Sequence, residues 1–385
     1  MNCYMFLFPF VLILCQRLAA TSVVEIPVTP SMVALSDTLF VGTGKQEMAF
    51  QFSLTTSEIS ISDAECNNTY GKCGKYCNLP TFCSLYCSPM CCIMDTWVET
   101  RCDTLYNKYL HNSSKLKILN DYWKSADGQS LGVWAEDQIF FKDSARKTMD
   151  LGTLKMALNV YTSVLNAEWS ISLARVGLAR DSTSKNFVNA LKERGYINYA
   201  LFTTVFSNEK RRCALMFGDY KREDCKNELA EFKAAGDREW ILDAVGVRFL
   251  DYESRRRYRL LFTEDISIYM PRHVLVSFIN AGALTFKQSS MFAPSNTYAV
   301  NLTTFDINQR QFFALSNSFA LNVTLRSINV AANTGDLQIH ANALDPNPDN
   351  VEWAAGDVFF REYCVSFDYE LNTVGFSELL EKRRL

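Results

Sequence analysis

The sequence predicts a mainly β chain, divided into two lobes, with short helices between its strands. Three observations carry that expectation. Apolar and polar residues alternate with period two in several segments, helical signals are few, and hydrophilic stretches near 206–212 and 219–239 separate two halves of the 385 residues. The alternating segments are Met48, Phe50 and Phe52; Val245, Val247 and Phe249; Tyr298, Val300 and Leu302; and Phe319, Leu321, Val323 and Leu325. Successive side chains of a strand point to opposite faces, so each segment reads as a half-buried strand. The clearest helix spans Ser184 to Arg194, with Ser184 as N-cap, Phe187, Val188 and Leu191 on one face, and Gly195 as the stop.

With 48% apolar, 21% charged and 13% aromatic residues, the chain can bury a sizeable core. A net charge of −3 gives no general pull toward nucleic acid or an anionic membrane. The three histidines, His111, His273 and His340, lie far apart, which disfavours a histidine metal centre and leaves few candidates for a histidine triad. No metal or other cofactor is expected. Residues 1–20 read as a secretory leader. Tyr4 to Cys15 is an apolar run without a preceding Lys or Arg, and Leu18-Ala19-Ala20 supplies a small-residue cleavage site. The run is too short to span a bilayer, and no later stretch is apolar for long enough, so no membrane association is expected after cleavage.

The thirteen cysteines suit an oxidising compartment. Loss of the leader removes Cys3 and Cys15 and leaves eleven. Eight of these crowd into residues 66–102: Cys66, Cys73, Cys77, Cys83, Cys87, Cys91, Cys92 and Cys102. With no histidine nearby, disulfides are a better expectation there than zinc, although eight cysteines allow about 105 pairings and the sequence selects none. The odd total leaves at least one mature cysteine free or bonded to another chain. Glycosylation sequons occur at Asn67, Asn112, Asn301 and Asn322. The basic runs Arg255–Arg259 and Lys382–Arg384 read as a solvated turn and tail.

Near the C-terminus the chain reads Trp353-Ala354-Ala355-Gly356-Asp357-Val358-Phe359-Phe360-Arg361-Glu362-Tyr363-Cys364-Val365-Ser366-Phe367-Asp368, then Asn372-Thr373-Val374-Gly375-Phe376. This resembles the closing signature of the pepsin-like aspartic proteases. Other landmarks follow the family's order. Phe40-Val41-Gly42-Thr43-Gly44-Lys45-Gln46 resembles its first hairpin, and Leu131 to Asp137 resembles the strand after its flap. Val176-Gly177-Leu178 and the strand at Leu201-Phe202-Thr203 lie on either side of the helix. The resemblance spans about residues 35 to 380 and implies a bilobed pepsin-like acid protease fold with a cleft between two β-rich lobes. It implies lobes at 21–205 and 206–385, with the cysteine-rich segment as an insertion in the first. It also implies a Cys225–Cys364 disulfide, as in nematode-type members.

The family's chemistry uses two Asp-Thr/Ser-Gly loops, one per lobe, whose carboxylates share a proton so that one acts as base to water. Here the first loop reads Phe52-Ser53-Leu54-Thr55-Thr56-Ser57-Glu58 and the second Leu261-Phe262-Thr263-Glu264-Asp265-Ile266. The resemblance places Ser53 and Phe262 at the two aspartate positions, and Thr55 and Glu264 at family glycines. Thr263 keeps a bracing hydroxyl whose counterpart is Leu54, and Ser125 stands for the flap tyrosine. A serine hydroxyl is no carboxylate base, and phenylalanine holds no proton. Rescue by Glu264, Asp265, Glu58 or Asp127 would require a displaced pair meeting across both lobes. Ser53 as a nucleophile would need a base and an oxyanion hole. The segment Thr21 to Leu35 carries no Lys or Arg, unlike the basic propeptide that closes the cleft in family zymogens. The expectation is therefore a secreted, glycosylated pseudoprotease without catalytic residues. It would bind a peptide or protein partner through the cleft candidates Ser53, Thr55, Ser125, Phe262, Thr263 and Glu264, or through the cysteine-rich insertion. The alternative is an acid endopeptidase with unconventional active-site residues.

Overall fold

A computed structural model describes residues 23–29, 32, 39–64, 107–125, 130–162, 174–180, 186–207, 212–220, 224–227, 229–289, 296–330, 337–344, 347 and 349–380. The leader, the eight clustered cysteines, Asn67, Asp127, Ser184 and the basic tail lie outside the described residues. The alternation around Phe50 forms the strand Phe50–Ser53, with Phe50 and Phe52 fully buried and Gln51 half-buried. The glycines of the first hairpin sit between the antiparallel strands Leu39–Val41 and Gln46–Met48. Strands make up most of the described chain, and the helices are short: Phe187–Glu193, Arg272–Asn280 and Asp357–Phe360.

One architecture is built twice. In the first lobe Phe50–Ser53 runs parallel to Ala174–Gly177, which is antiparallel to Ile59–Asp63. Ile59–Asp63 is in turn parallel to Thr148–Thr162, which is antiparallel to Ser130–Lys142. The second lobe repeats the order and the sense of each pairing. Tyr258–Leu261 runs parallel to Val351–Ala354, which is antiparallel to Ile268–Pro271. That strand is parallel to Gln338–Leu344, which is antiparallel to Asn296–Val300. In each lobe a late strand is thus threaded between the strand entering a loop and the strand leaving it. The mainly β, bilobed pepsin-like fold is the observed one.

A six-stranded sheet joins the lobes, in the order Val24–Pro27, Arg212–Phe217, Leu201–Ser207, Tyr363–Asp368, Thr373–Glu378 and Ala230–Lys233. Its seam is the antiparallel pairing of Leu201–Ser207 with Tyr363–Asp368. Phe202 stacks on Phe367 across the seam at 4.8 Å, a contact worth about 1 kcal/mol beyond its burial. Thr203 Oγ1 and Ser366 Oγ lie 2.8 Å apart there, so their hydroxyls are paired inside the sheet. Trp240 Nε1 and the Tyr369 hydroxyl, both from the second half, donate to the Leu178 carbonyl of the first at 2.7 and 2.6 Å.

The helix carries its predicted apolar face: Phe187, Val188 and Leu191 are buried, and Phe187 meets Phe52, Phe141 and Phe217 at 5.4–5.7 Å. Its start differs from the expectation. Asn186 is the N-cap, its side chain accepting from the Asn189 amide at 2.9 Å, and Gly195 ends the helix at φ +72°. Asn322 is exposed on Ala320–Thr324 between buried Leu321 and Val323, as alternation predicted. Asn301, expected within a strand, lies just beyond Asn296–Val300. Its carbonyl accepts from the amides of Thr304 and Phe305, so the chain turns there and Leu302 faces solvent. Asn112 is exposed. The arginine run is an exposed turn only over residues 255–257, since Tyr258, which is buried, and Arg259 belong to the strand Tyr258–Leu261. Arg255 contacts Glu253 at 3.4 Å, Arg256 pairs with Glu352, and Arg259 lies 3.6 Å from Asp243. No helix among the described residues is long and apolar enough to cross a membrane.

Cys225 and Cys364 are disulfide-bonded, closing a separation of 139 residues. The pair packs with Val205 and Leu379 beside the six-stranded sheet. Replacing both cysteines by alanine is expected to lower stability by about 2–4 kcal/mol, because the unfolded chain regains the freedom of a long loop. Urea midpoints of the oxidised protein and the variant measure this.

Candidate functional site

Both loops expected to carry the chemistry are held by the threaded strands. In the first lobe, the Gly177 amide donates to the Glu58 carbonyl, Leu178 to Ser53 and Ala179 to Thr56, at 2.7–3.0 Å. In the second, the Ala355 amide donates to the Leu261 carbonyl at 3.0 Å and that of Asp357 to the Asp265 carbonyl at 3.3 Å. Each threaded strand comes close to its loop at a glycine. A Cβ on Gly177 would stand 2.5 Å from the Thr56 oxygen, and one on Gly356 only 1.5 Å from the Thr263 oxygen.

The loops meet through Glu264. Ser53 Oγ donates to Glu264 Oε1 at 2.8 Å, and the Leu54 amide donates to Oε2 at 3.0 Å. Ser53 Oγ also lies 3.1 Å from Thr55 Oγ1 and accepts from the Thr55 amide at 3.3 Å. With Ser53 only 1% exposed, its hydroxyl is fully engaged. Burial pushes the Glu264 carboxyl above the usual carboxylate range, the Asp265 charge adds to this, and the bonds from Ser53 and Leu54 oppose it. Burial also raises Asp265, whose Oδ2 accepts from the Tyr269 hydroxyl at 2.8 Å.

Phe262 is fully buried and packs against Phe359, Phe376 and Phe367 at 5.7, 5.7 and 6.0 Å. An aromatic cluster of the second lobe therefore occupies one expected carboxylate position. The Thr263 hydroxyl is buried and has no hydrogen-bond partner among the described residues. Its expected counterpart, Leu54, is apolar and fully buried. Among the described residues, no three His, Cys, Asp or Glu side chains are grouped to hold a metal ion.

Beside the loops, a cavity of about 990 Å³ is walled by both lobes. The first lobe contributes Thr55, Glu58, Trp123 and Trp134, and the second contributes Glu239 and Leu344 among others. Trp123 Nε1 donates to Glu58 Oε1 at 3.1 Å, and the Lys155 ammonium sits 4.1 Å from the Trp134 ring centre. Arg180, buried in the first lobe, donates to the carbonyls of Ala235, Gly236 and Glu239 at 2.6–2.9 Å and lies over the Trp240 ring. It thereby fixes the second-lobe segment that borders the cavity, and desolvation lowers its pKa. Burial raises the Glu239 carboxyl, with a further contribution from Asp349.

The threaded-strand topology, the paired loops and the interlobe cavity make up one architecture, and the model of the family described as eukaryotic aspartyl protease matches residues 37–379. The chain belongs to that family. No curated protein matches the sequence. Of the residues expected to line the cleft of this aspartyl protease homologue, Thr55 does line the cavity. The structure gathers Ser53, Thr55 and Glu264 into one hydrogen-bonded group and places Phe262 in the core. Ser125 sits at the turn end of the hairpin formed by Lys117–Lys124 and Ser130–Lys142, accepting from the Ser130 amide at 2.8 Å. Sequence reasoning did not single out Trp123, Trp134, Arg180 or Glu239. Arg180 left a signal, a lone cation directly after the apolar Val176–Ala179 stretch.

Proposed function

We infer that this chain is a secreted, glycosylated pseudoprotease that uses the pepsin-like scaffold to bind a peptide or protein partner. The observation that carries the reading is the state of the two loops. Ser53 spends its hydroxyl within a closed cross-lobe group, and Phe262 fills the opposite position with a buried ring. Neither can activate a water, and neither lines the cavity. That cavity offers two indole rings, aliphatic side chains and both signs of charge, a lining suited to an extended peptide. The Cys225–Cys364 disulfide favours an oxidising compartment.

A second reading, an endopeptidase with unconventional residues, draws on Glu264 and Asp265, two buried carboxyls with raised pKa values. They are successive residues of one loop, whereas the family's general-base chemistry takes one carboxyl from each lobe. The purified mature protein, incubated with a denatured protein substrate at acidic and at neutral pH, is expected to leave it intact. Cleavage blocked by a statine-type analogue would overturn the binding reading. Labelling of Ser53 by a fluorophosphonate would do the same and would point to serine chemistry instead.

A further inference from the structure

Glu264 crosses from the second loop to the first and bonds there to both a side chain and the backbone. We propose that Glu264 is a proton-linked latch between the lobes, closed while its carboxyl is protonated and released as the pH rises, and that it governs entry to the adjoining cavity through Ser53 and its partner Thr55 on the cavity wall. The gating part rests on the binding reading above; the latch itself does not.

The groups facing the carboxyl set the sign. On its own loop lies Asp265, whose carboxyl is held by Tyr269 on Ile268–Pro271. Tyr269 is in turn bonded to Asn342 on Gln338–Leu344. From the first lobe come the hydroxyls of Ser53 and Thr55 and the Leu54 amide. Arg175 on Ala174–Gly177 acts through its charge on Asp265. Two neighbouring carboxyls removed from water favour the neutral form, and the donors from Ser53 and Leu54 only partly offset this.

The closed geometry accommodates that neutral form. A protonated Oε1 donates to Ser53 Oγ, the Ser53 hydroxyl turns to Thr55 Oγ1 at 3.1 Å, and Oε2 still accepts from the Leu54 amide. Each of these contacts survives without a charge on Glu264. When ionised, the closed latch confines a charge beside Asp265, and opening returns it to water. Because the folded-state pKa is raised, the stabilisation is complete in acid and is lost as the pH rises through that value.

Amide hydrogen exchange of the full chain tests the latch, read at Leu54 and divided by the intrinsic rate at each pH. In the wild type, Leu54 protection is expected to fall between about pH 4.5 and about pH 7.5, as the raised carboxyl ionises. Glu264→Gln keeps an acceptor and a donor but cannot ionise, so its Leu54 protection should stay level. The Phe262 amide, bonded to the Trp240 carbonyl within the second lobe, serves as control and should not move in either protein. Flat Leu54 protection in the wild type, or an equal fall in Glu264→Gln, would overturn the latch. Retention of a tryptic digest of a denatured protein is then compared at the two pH values. Stronger retention by the wild type at the higher pH, lost in Glu264→Gln, supports gating. Equal retention at both pH values overturns gating while the latch stands. No retention under any condition overturns the binding reading alone.

Discussion

Gly356→Ala is expected to lower stability by more than about 4 kcal/mol and to leave little folded protein, a cost at the extreme of single substitutions. The new Cβ would stand 1.5 Å from the Thr263 oxygen and 2.6 Å from the Thr263 carbonyl carbon. The obstacle is backbone, so no rotamer change can relieve it. The backbone is also held on both sides, by Ala355 donating to Leu261 and Thr263 donating to Ala355. Any displacement would pass to Tyr258–Leu261 and Ile268–Pro271, the strands flanking Val351–Ala354. Gly195→Ala is the contrast: among the described residues its Cβ meets nothing within 4 Å, and the φ of +72° is what opposes it. That change should cost about 1 kcal/mol. Urea midpoints of the two variants decide the matter, and a Gly356→Ala protein as stable as Gly195→Ala would contradict the loop packing.

Phe262→Asp, which places an aspartate at one expected catalytic position, is expected to destabilise the protein by roughly 5 kcal/mol rather than to move it toward activity. Two losses combine. The ring leaves a space among Phe359, Phe367 and Phe376, and the incoming carboxyl is buried in that aromatic surrounding. Phe262→Leu, which keeps an apolar side chain, should cost only about 1–2 kcal/mol. Thermal or urea unfolding of the pair separates lost volume from buried charge. If Phe262→Asp matched Phe262→Leu, the position would have to be wetter than its burial indicates. Restoring chemistry thus requires refitting both loops together: Ser53→Asp, Leu54→Thr and Thr55→Gly on the first, with Phe262→Asp and Glu264→Gly on the second.

Much of this fold was legible because burial on one face of a strand leaves a period of two. Phe50 and Phe52, Val247 and Phe249, and Leu321 and Val323 all behave as that rule requires. The helix face was equally plain, but its start was not, since Asn186 and Ser184 are both competent caps and only the chain path selects Asn186. The duplication of the lobes left no literal repeat, because parallel threading constrains backbone direction while many apolar side chains satisfy the same packing. In the candidate site, substitutions at single positions could be read directly: Ser53, Phe262 and Leu54 announce lost groups. Glu264 looked like a side chain in place of a glycine. That it would turn to the opposite lobe depends on how Ser53 and Leu54 present their donors, and a sequence separation of 210 hides this from local pattern. The cavity walls were the least legible part, because Trp123 and Glu239 become neighbours of one space only after two sheets are assembled.

The strand Lys108–Tyr109 runs parallel to Ile59–Asp63, with Ser62 opposite Lys108 and Asp63 opposite Tyr109. A parallel neighbour cannot be reached by a tight turn, because the chain must first travel back to the starting end of the strand it has left. That return needs about a dozen residues. The connection therefore has a minimum length set by topology, and residues 65–106 exceed it several times over. The surplus holds all eight clustered cysteines. Topology thus sets a lower limit on the length of this connection and no upper one.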